Sequence, residues 1–140
     1  MSVGTKNTVI PGGGCHHIAV QTRDWDASMK LYRDVLGMSV AAEFGSPERK
    51  IVLLDMGDGS HMELFQPKAD TPAPGAAAPN DPVTHFALAT TGTKAATEHV
   101  RAAGYEITVE PKTVDLGALT VTIAFFNGPN GESIEFFQTH

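Results

Sequence analysis

Two histidines and two glutamates stand at matched places in this chain, and their types are those that hold a divalent metal through nitrogen and oxygen. His17 lies in His16-His17-Ile18-Ala19-Val20-Gln21-Thr22, and His85 in the similar Thr84-His85-Phe86-Ala87-Leu88-Ala89-Thr90. Glu63 interrupts the apolar run Met62-Glu63-Leu64-Phe65, as Glu135 interrupts Ile134-Glu135-Phe136-Phe137. The separations repeat, 46 positions from His17 to Glu63 and 50 from His85 to Glu135. An ionised carboxylate facing a core is costly unless it is paired or metal-bound, so each glutamate demands a partner. If the two copies are related by a pseudo-twofold axis, the four side chains can converge on one point. Two imidazoles and two carboxylates suit one Zn, Ni, Co, Mn or Fe ion better than Ca, whereas a structural Zn would favour cysteine. Four protein ligands on an octahedral ion leave two positions for water or for two substrate oxygens, which is what a catalytic site requires.

The elements that must position these residues follow from local pattern. Alternation across a strand puts His17, Ala19 and Gln21 on one face, and His85, Ala87 and Ala89 on one face of the later copy. The opposite, apolar faces suit covering helices, and the histidine–alanine faces suit a cavity. Asp24 is a natural N-cap for a helix over 24–36 closed by Gly37, with Trp25, Met29, Tyr32 and Leu36 on one side. Strands are expected over 38–44, 50–56 and 61–66, with Gly45-Ser46-Pro47 and Gly57-Asp58-Gly59 as turns. The second half repeats the order: a strand over 83–90, a helix over 93–103 with Ala96, Val100 and Ala103 inward and Gly104 closing it, then strands over 105–109, 119–126 and 132–137. The chain is therefore α+β, two β-α-β-β-β modules, 15–67 and 83–140, inside a single domain 15–140. Residues 1–14 read as a flexible tail, and the proline- and alanine-rich stretch 68–82 as a linker or mobile loop.

Composition narrows the partners. With 140 residues and 41% hydrophobic content the chain can bury one core but not two ordinary ones. A net charge of −6 without a Lys/Arg cluster argues against nucleic acid and against an anionic membrane surface, leaving a small-molecule ligand. Cys15 is alone, so no intrachain disulfide can form, and no apolar run reaches a membrane-spanning length. A cytoplasmic protein is expected.

Taken in order, His17-Ile18-Ala19-Val20, Ala27-Ser28 through Tyr32-Arg33-Asp34-Val35-Leu36-Gly37-Met38, His85-Phe86-Ala87-Leu88, and Gly128-Pro129-Asn130-Gly131 leading to Ile134-Glu135-Phe136 resemble the vicinal oxygen chelate superfamily over about residues 15–138. That superfamily includes glyoxalase I, methylmalonyl-CoA epimerase, extradiol dioxygenases, and the fosfomycin- and bleomycin-resistance proteins. The resemblance implies an open, curled eight-stranded mixed sheet around a divalent metal, with His17, Glu63, His85 and Glu135 at the ligand positions of glyoxalase I and Glu135 as the mobile catalytic base. It implies a lyase or isomerase that stabilises an enediolate or enolate of a vicinal-oxygen substrate. An Fe(II) extradiol-type dioxygenase is the rival enzyme, and a non-catalytic binding or resistance protein the rival outside enzymes.

Where glyoxalase I carries a basic residue for the glutathione carboxylate, four positions after the first histidine, this chain has Gln21. It also has Asp115-Leu116-Gly117-Ala118 where that family carries basic and glycine residues, so glutathione is disfavoured as substrate. His61 shares a face with Glu63 and is a candidate pocket wall or base; His16 is expected on the helix side. Of Phe125 and Phe126, which alternate, Phe126 is expected to line the substrate cavity. The modules can pair within a chain or across two chains, and an exposed sheet edge invites a homodimer.

Overall fold

The computed structural model describes residues 7–10, 14–67, 69 and 83–140. Most of the expected tail and all but Ala69 of the expected linker lie outside these residues. Among the described residues eight strands form two four-stranded mixed sheets of identical topology, open rather than closed. The first holds β1 (His17–Gln21), β2 (Ser39–Ser46), β3 (Arg49–Asp55) and β4 (His61–Phe65) in the order β1-β4-β3-β2. The second holds β5 (Phe86–Ala89), β6 (Ile107–Asp115), β7 (Thr120–Asn127) and β8 (Ser133–Thr139) in the order β5-β8-β7-β6. In each sheet the first strand runs parallel to the last, and the remaining pairs are antiparallel hairpins. The sequence repeat is thus a repeat of topology.

Helix α1 (Trp25–Met29) begins where Asp24 accepts a hydrogen bond from the Ala27 N–H at 3.0 Å, the expected N-cap. It does not stay α-helical to residue 36. Lys30–Val35 widens into a π-helical turn, with the Leu36 N–H donating to the Leu31 carbonyl at 2.8 Å. Gly37 then leaves the helix at φ +76°, a left-handed conformation that glycine adopts without a Cβ penalty. Helix α2 (Thr93–Ala102) takes its cap from elsewhere in the fold: the Gln138 side chain accepts from the Thr93 N–H at 3.0 Å. β6 runs well past the expected 105–109. Pro111 is tolerated there because β6 is an edge strand and Pro111 falls within the register shift between Val109 and Lys112.

One face of each sheet builds a core shared by the two modules. Leu31 and Tyr32 behind α1, with Val52, Leu54, Met62 and Leu64, meet Val100, Phe126, Ile134 and Phe136 from the second half. Each fully buried aliphatic or aromatic side chain stabilises the fold by about 1.5–3 kcal/mol. A closed ring of side-chain hydrogen bonds also joins the modules. Asn130 Nδ2 donates to Ser28 Oγ at 3.0 Å, Ser28 Oγ donates to Thr22 Oγ1 at 2.7 Å, and Thr22 Oγ1 donates back to Asn130 Oδ1 at 2.8 Å. Glu132 braces Asn130 through both its backbone and side-chain nitrogens. Gly128 makes room for that brace, since a Cβ there would run into the Glu132 carboxylate. Burial, and then the nearby Glu132 charge, pushes the Tyr32 phenol far above its ordinary pKa, and among the described residues its hydroxyl finds no hydrogen-bond partner. Among the described residues no helix is long and apolar enough to cross a membrane.

Candidate metal and substrate site

The sheet faces turned away from this core carry the chemistry. In β4, Met62 and Leu64 point inward while His61, Glu63 and Phe65 point outward. The parallel register sets Ala19 beside Glu63 and His17 beside His61. The small Ala19 leaves the carboxylate uncovered, and the His17 ring reaches toward it: Nε2 to Glu63 Oε2 is 3.8 Å, with side chains 40% and 24% exposed. The second sheet repeats this. Ala87 lies beside Glu135, and His85 Nε2 is 3.1 Å from Glu135 Oε2, with Glu135 almost fully covered. Such contacts are ion pairs only when the imidazole is protonated; a neutral imidazole at the same place presents a nitrogen of the type that can ligate a metal.

The structure therefore brings His17 to Glu63 and His85 to Glu135, as two pairs on two sheets. It does not gather all four at one point in a single chain: among the described residues no three or more His, Cys, Asp or Glu side chains lie close enough together to hold an ion. The reason is the packing of the modules. They join through the helix-covered faces, so the histidine–alanine faces of both sheets look outward. In chemical type the four donors still fit a borderline divalent ion, and each pair alone supplies half of the set.

Three neighbours differ from expectation or were missed. Phe126 does not line the site; it is 1% exposed and stacks on Phe136 in the core, with ring centroids 5.2 Å apart. Phe125 takes the outward place and meets the His85 ring edge-on at 5.2 Å. The turn decides this: with Asn127 opposite Ser133, Glu135 falls opposite Phe125 and Ile134 opposite Phe126. His16 is exposed rather than turned to the helix side, because it precedes β1 and escapes the strand's alternation. Its ring lies 5.1 Å from that of His17 and 5.2 Å from that of His61, and its Nδ1 is 2.9 Å from His17 Nδ1. His61 itself shares the Glu63 face, half-buried, with Nδ1 3.2 Å from the His16 carbonyl. Gln21 is exposed at the far end of the same face, in register with Phe65. With Arg23, Asp24, Pro129 and Asn130 it lines a cavity of about 270 Å³ where the modules meet.

Comparison with known proteins agrees with this fold. The sequence model of the Glyoxalase/Bleomycin resistance protein/Dioxygenase superfamily matches residues 14–136. A lactoylglutathione lyase from Haemophilus influenzae is 34% identical over 128 residues, covering 87% of this chain and 90% of the relative. Among solved structures, a glyoxalase I variant from Zea mays superposes with a TM-score of 0.72 at 23% identity, over 88% of this chain and 43% of that one. A glyoxalase family protein from Enterococcus faecalis superposes with a TM-score of 0.71 at 21% identity, over 89% of this chain and 96% of that one.

Proposed function

The chain belongs to the Glyoxalase/Bleomycin resistance protein/Dioxygenase superfamily, and we propose that within it the protein is a divalent-metal-dependent lyase or isomerase of the glyoxalase I kind, acting on a small molecule with two neighbouring oxygens. The observation that carries this reading is the repeated pair, one imidazole and one carboxylate 3.8 Å apart in the first sheet and 3.1 Å apart in the second. Two nitrogens and two oxygens from both pairs suit one Zn, Ni, Co, Mn or Fe ion. Because one chain holds the pairs apart, each full set is completed between two copies, His17 and Glu63 of one meeting His85 and Glu135 of the other. The outward face of the first sheet supports such a homodimer: Phe44 is 48% exposed there, and Ile51, Leu53 and Phe65 are only partly covered.

When bound, the metal supplies Lewis-acid polarisation of the substrate's paired oxygens, easing negative charge as it develops. Proton movement falls to the chain. Glu135, 6% exposed behind His85 and Phe125, is screened from bulk water, so a proton it takes from the carbon beside those oxygens is retained for return. Return to the neighbouring carbon completes an isomerisation. Glu63, more open to solvent, serves as ligand, while Ala19, Ala87 and Phe125 shape the cavity and His61 walls it.

Two variants test both parts. One chain carries His17→Ala with Glu63→Ala, the other His85→Ala with Glu135→Ala, and differently tagged copies are co-expressed to isolate the mixed dimer. Neither variant alone should bind cobalt, while the mixed dimer should recover one ion, half the wild-type content, along with turnover in a screen of 2-oxoaldehyde adducts and acyl thioesters. A mixed dimer no better than its parents sinks the shared site. Wild-type protein that takes up no Zn, Ni, Co or Mn sinks the metal-enzyme reading and leaves a binding protein.

A further inference from the structure

The outward face of the first sheet carries a cation that the proposed chemistry does not use. β3 alternates Arg49, Ile51, Leu53 and Asp55 onto that face, where Ile51 pairs with Phe65, Leu53 with Glu63 and Asp55 with His61. Arg49 Cζ lies 6.0 Å from the centroid of the Phe65 ring, and Arg49 Nε donates to the Gln66 carbonyl at 3.4 Å. The side chain is thus held at its neck, with its terminal nitrogens beside the aromatic ring. Among the described residues no carboxylate forms an ion pair with it. The hairpin that delivers it is tight: Gly45 has φ +95°, and a Cβ there would run into the Arg49 carbonyl.

Phe65 is flanked by Gln21, its register partner in β1, and by this guanidinium. Two strand positions, about 7 Å, separate Phe65 from Glu63, a span that one aromatic ring fills between a pair of chelating oxygens and a carboxylate. Gln21 can donate its amide to an anion but cannot neutralise it, whereas a guanidinium does both through its planar fork. One anion is therefore accommodated, and a second would face a chain of net charge −6 without a matching cation at the Gln21 position.

We infer that Arg49 is the specificity-determining residue for a monoanionic substrate, one whose paired oxygens reach the His17–Glu63 pair, whose apolar middle lies over Phe65 and whose single carboxylate rests on the guanidinium. The inference rests on the metal-enzyme reading above.

The test uses two bidentate oxygen chelators that differ by one carboxylate, benzohydroxamate and para-carboxybenzohydroxamate, titrated calorimetrically into the zinc-loaded full chain. Wild type should bind the carboxylated probe roughly tenfold to a hundredfold more tightly, the worth of a charge-assisted bond over a neutral contact. Arg49→Met, which keeps an apolar stem over Phe65, should abolish that preference while leaving zinc content and benzohydroxamate affinity unchanged. Arg49→Lys should restore part of it. An unchanged preference in Arg49→Met, or none in wild type, overturns the role of Arg49 alone. If the zinc-loaded chain binds neither hydroxamate, the metal-enzyme reading falls and this inference falls with it.

Discussion

Replacing Asn130 with alanine should weaken the joint between the modules by an amount that can be worked from its contacts. The side chain accepts from Thr22 Oγ1 at 2.8 Å, donates to Ser28 Oγ at 3.0 Å and donates to Glu132 Oε2 at 2.9 Å. Thr22 and Ser28 are both 0% exposed, so water cannot replace what is lost. Thr22 has an alternative, the Asp24 carbonyl at 2.9 Å, which recovers one bond. The remaining losses, at about 1 kcal/mol each with an added penalty for the unfilled Ser28 acceptor, come to about 2–3 kcal/mol. Ser28→Ala removes the Asn130–Ser28 and Ser28–Thr22 bonds and should cost about 1–2 kcal/mol. The double variant should cost less than the sum by about 1 kcal/mol, since one bond is counted in both singles. Urea unfolding at one fixed chain concentration, followed by the fluorescence of Trp25, the chain's single tryptophan, measures all three. Trp25 opens α1 three residues from Thr22, so its signal reports on this joint. An Asn130→Ala chain within about 0.5 kcal/mol of wild type, or strictly additive singles, would refute the ring as a coupled unit.

The two adjacent phenylalanines of β7 should separate cleanly: Phe126→Ala should cost about 3–5 kcal/mol by urea unfolding, as an emptied core position does. Phe125→Ala should cost far less stability and instead weaken hydroxamate binding to the zinc-loaded chain; equal losses of stability would contradict the register of β7. Hydrogen bonds from the Ser60 hydroxyl and backbone hold the Asp58 carboxyl below its ordinary pKa. A depressed folded-state pKa contributes stability above the unfolded value that is lost as pH falls through the folded one. Asp58→Asn should therefore loosen the hairpin leading to His61 at neutral pH and make no difference in strong acid, as read by hydrogen exchange at Ser60. A variant effect that persists unchanged into strong acid would remove the carboxylate from that account.

The faces of the two histidine-bearing strands, the Asp24 cap, the glycine-closed helices and the turn at Gly57-Asp58-Gly59 were legible in the sequence, because alternation, capping and turn chemistry act over a few residues. So was the repeat, and with it the matching of His17 to His85 and of Glu63 to Glu135, since spacing along the chain is unaffected by how the modules pack. Tertiary structure alone decided the rest. Whether Phe125 or Phe126 faces His85 depends on which residue of β8 lies opposite, a matter of pairing between strands. The His16 ring meets His61 only because β1 and β4, distant in sequence, run side by side. The cap on α2 comes from Gln138, and the Thr22–Ser28–Asn130 ring spans both halves; neither has a local signature. Above all, convergence of the four ligands depends on how the modules are joined, and burial of the apolar faces against each other sends the two histidine–glutamate pairs outward on separate sheets.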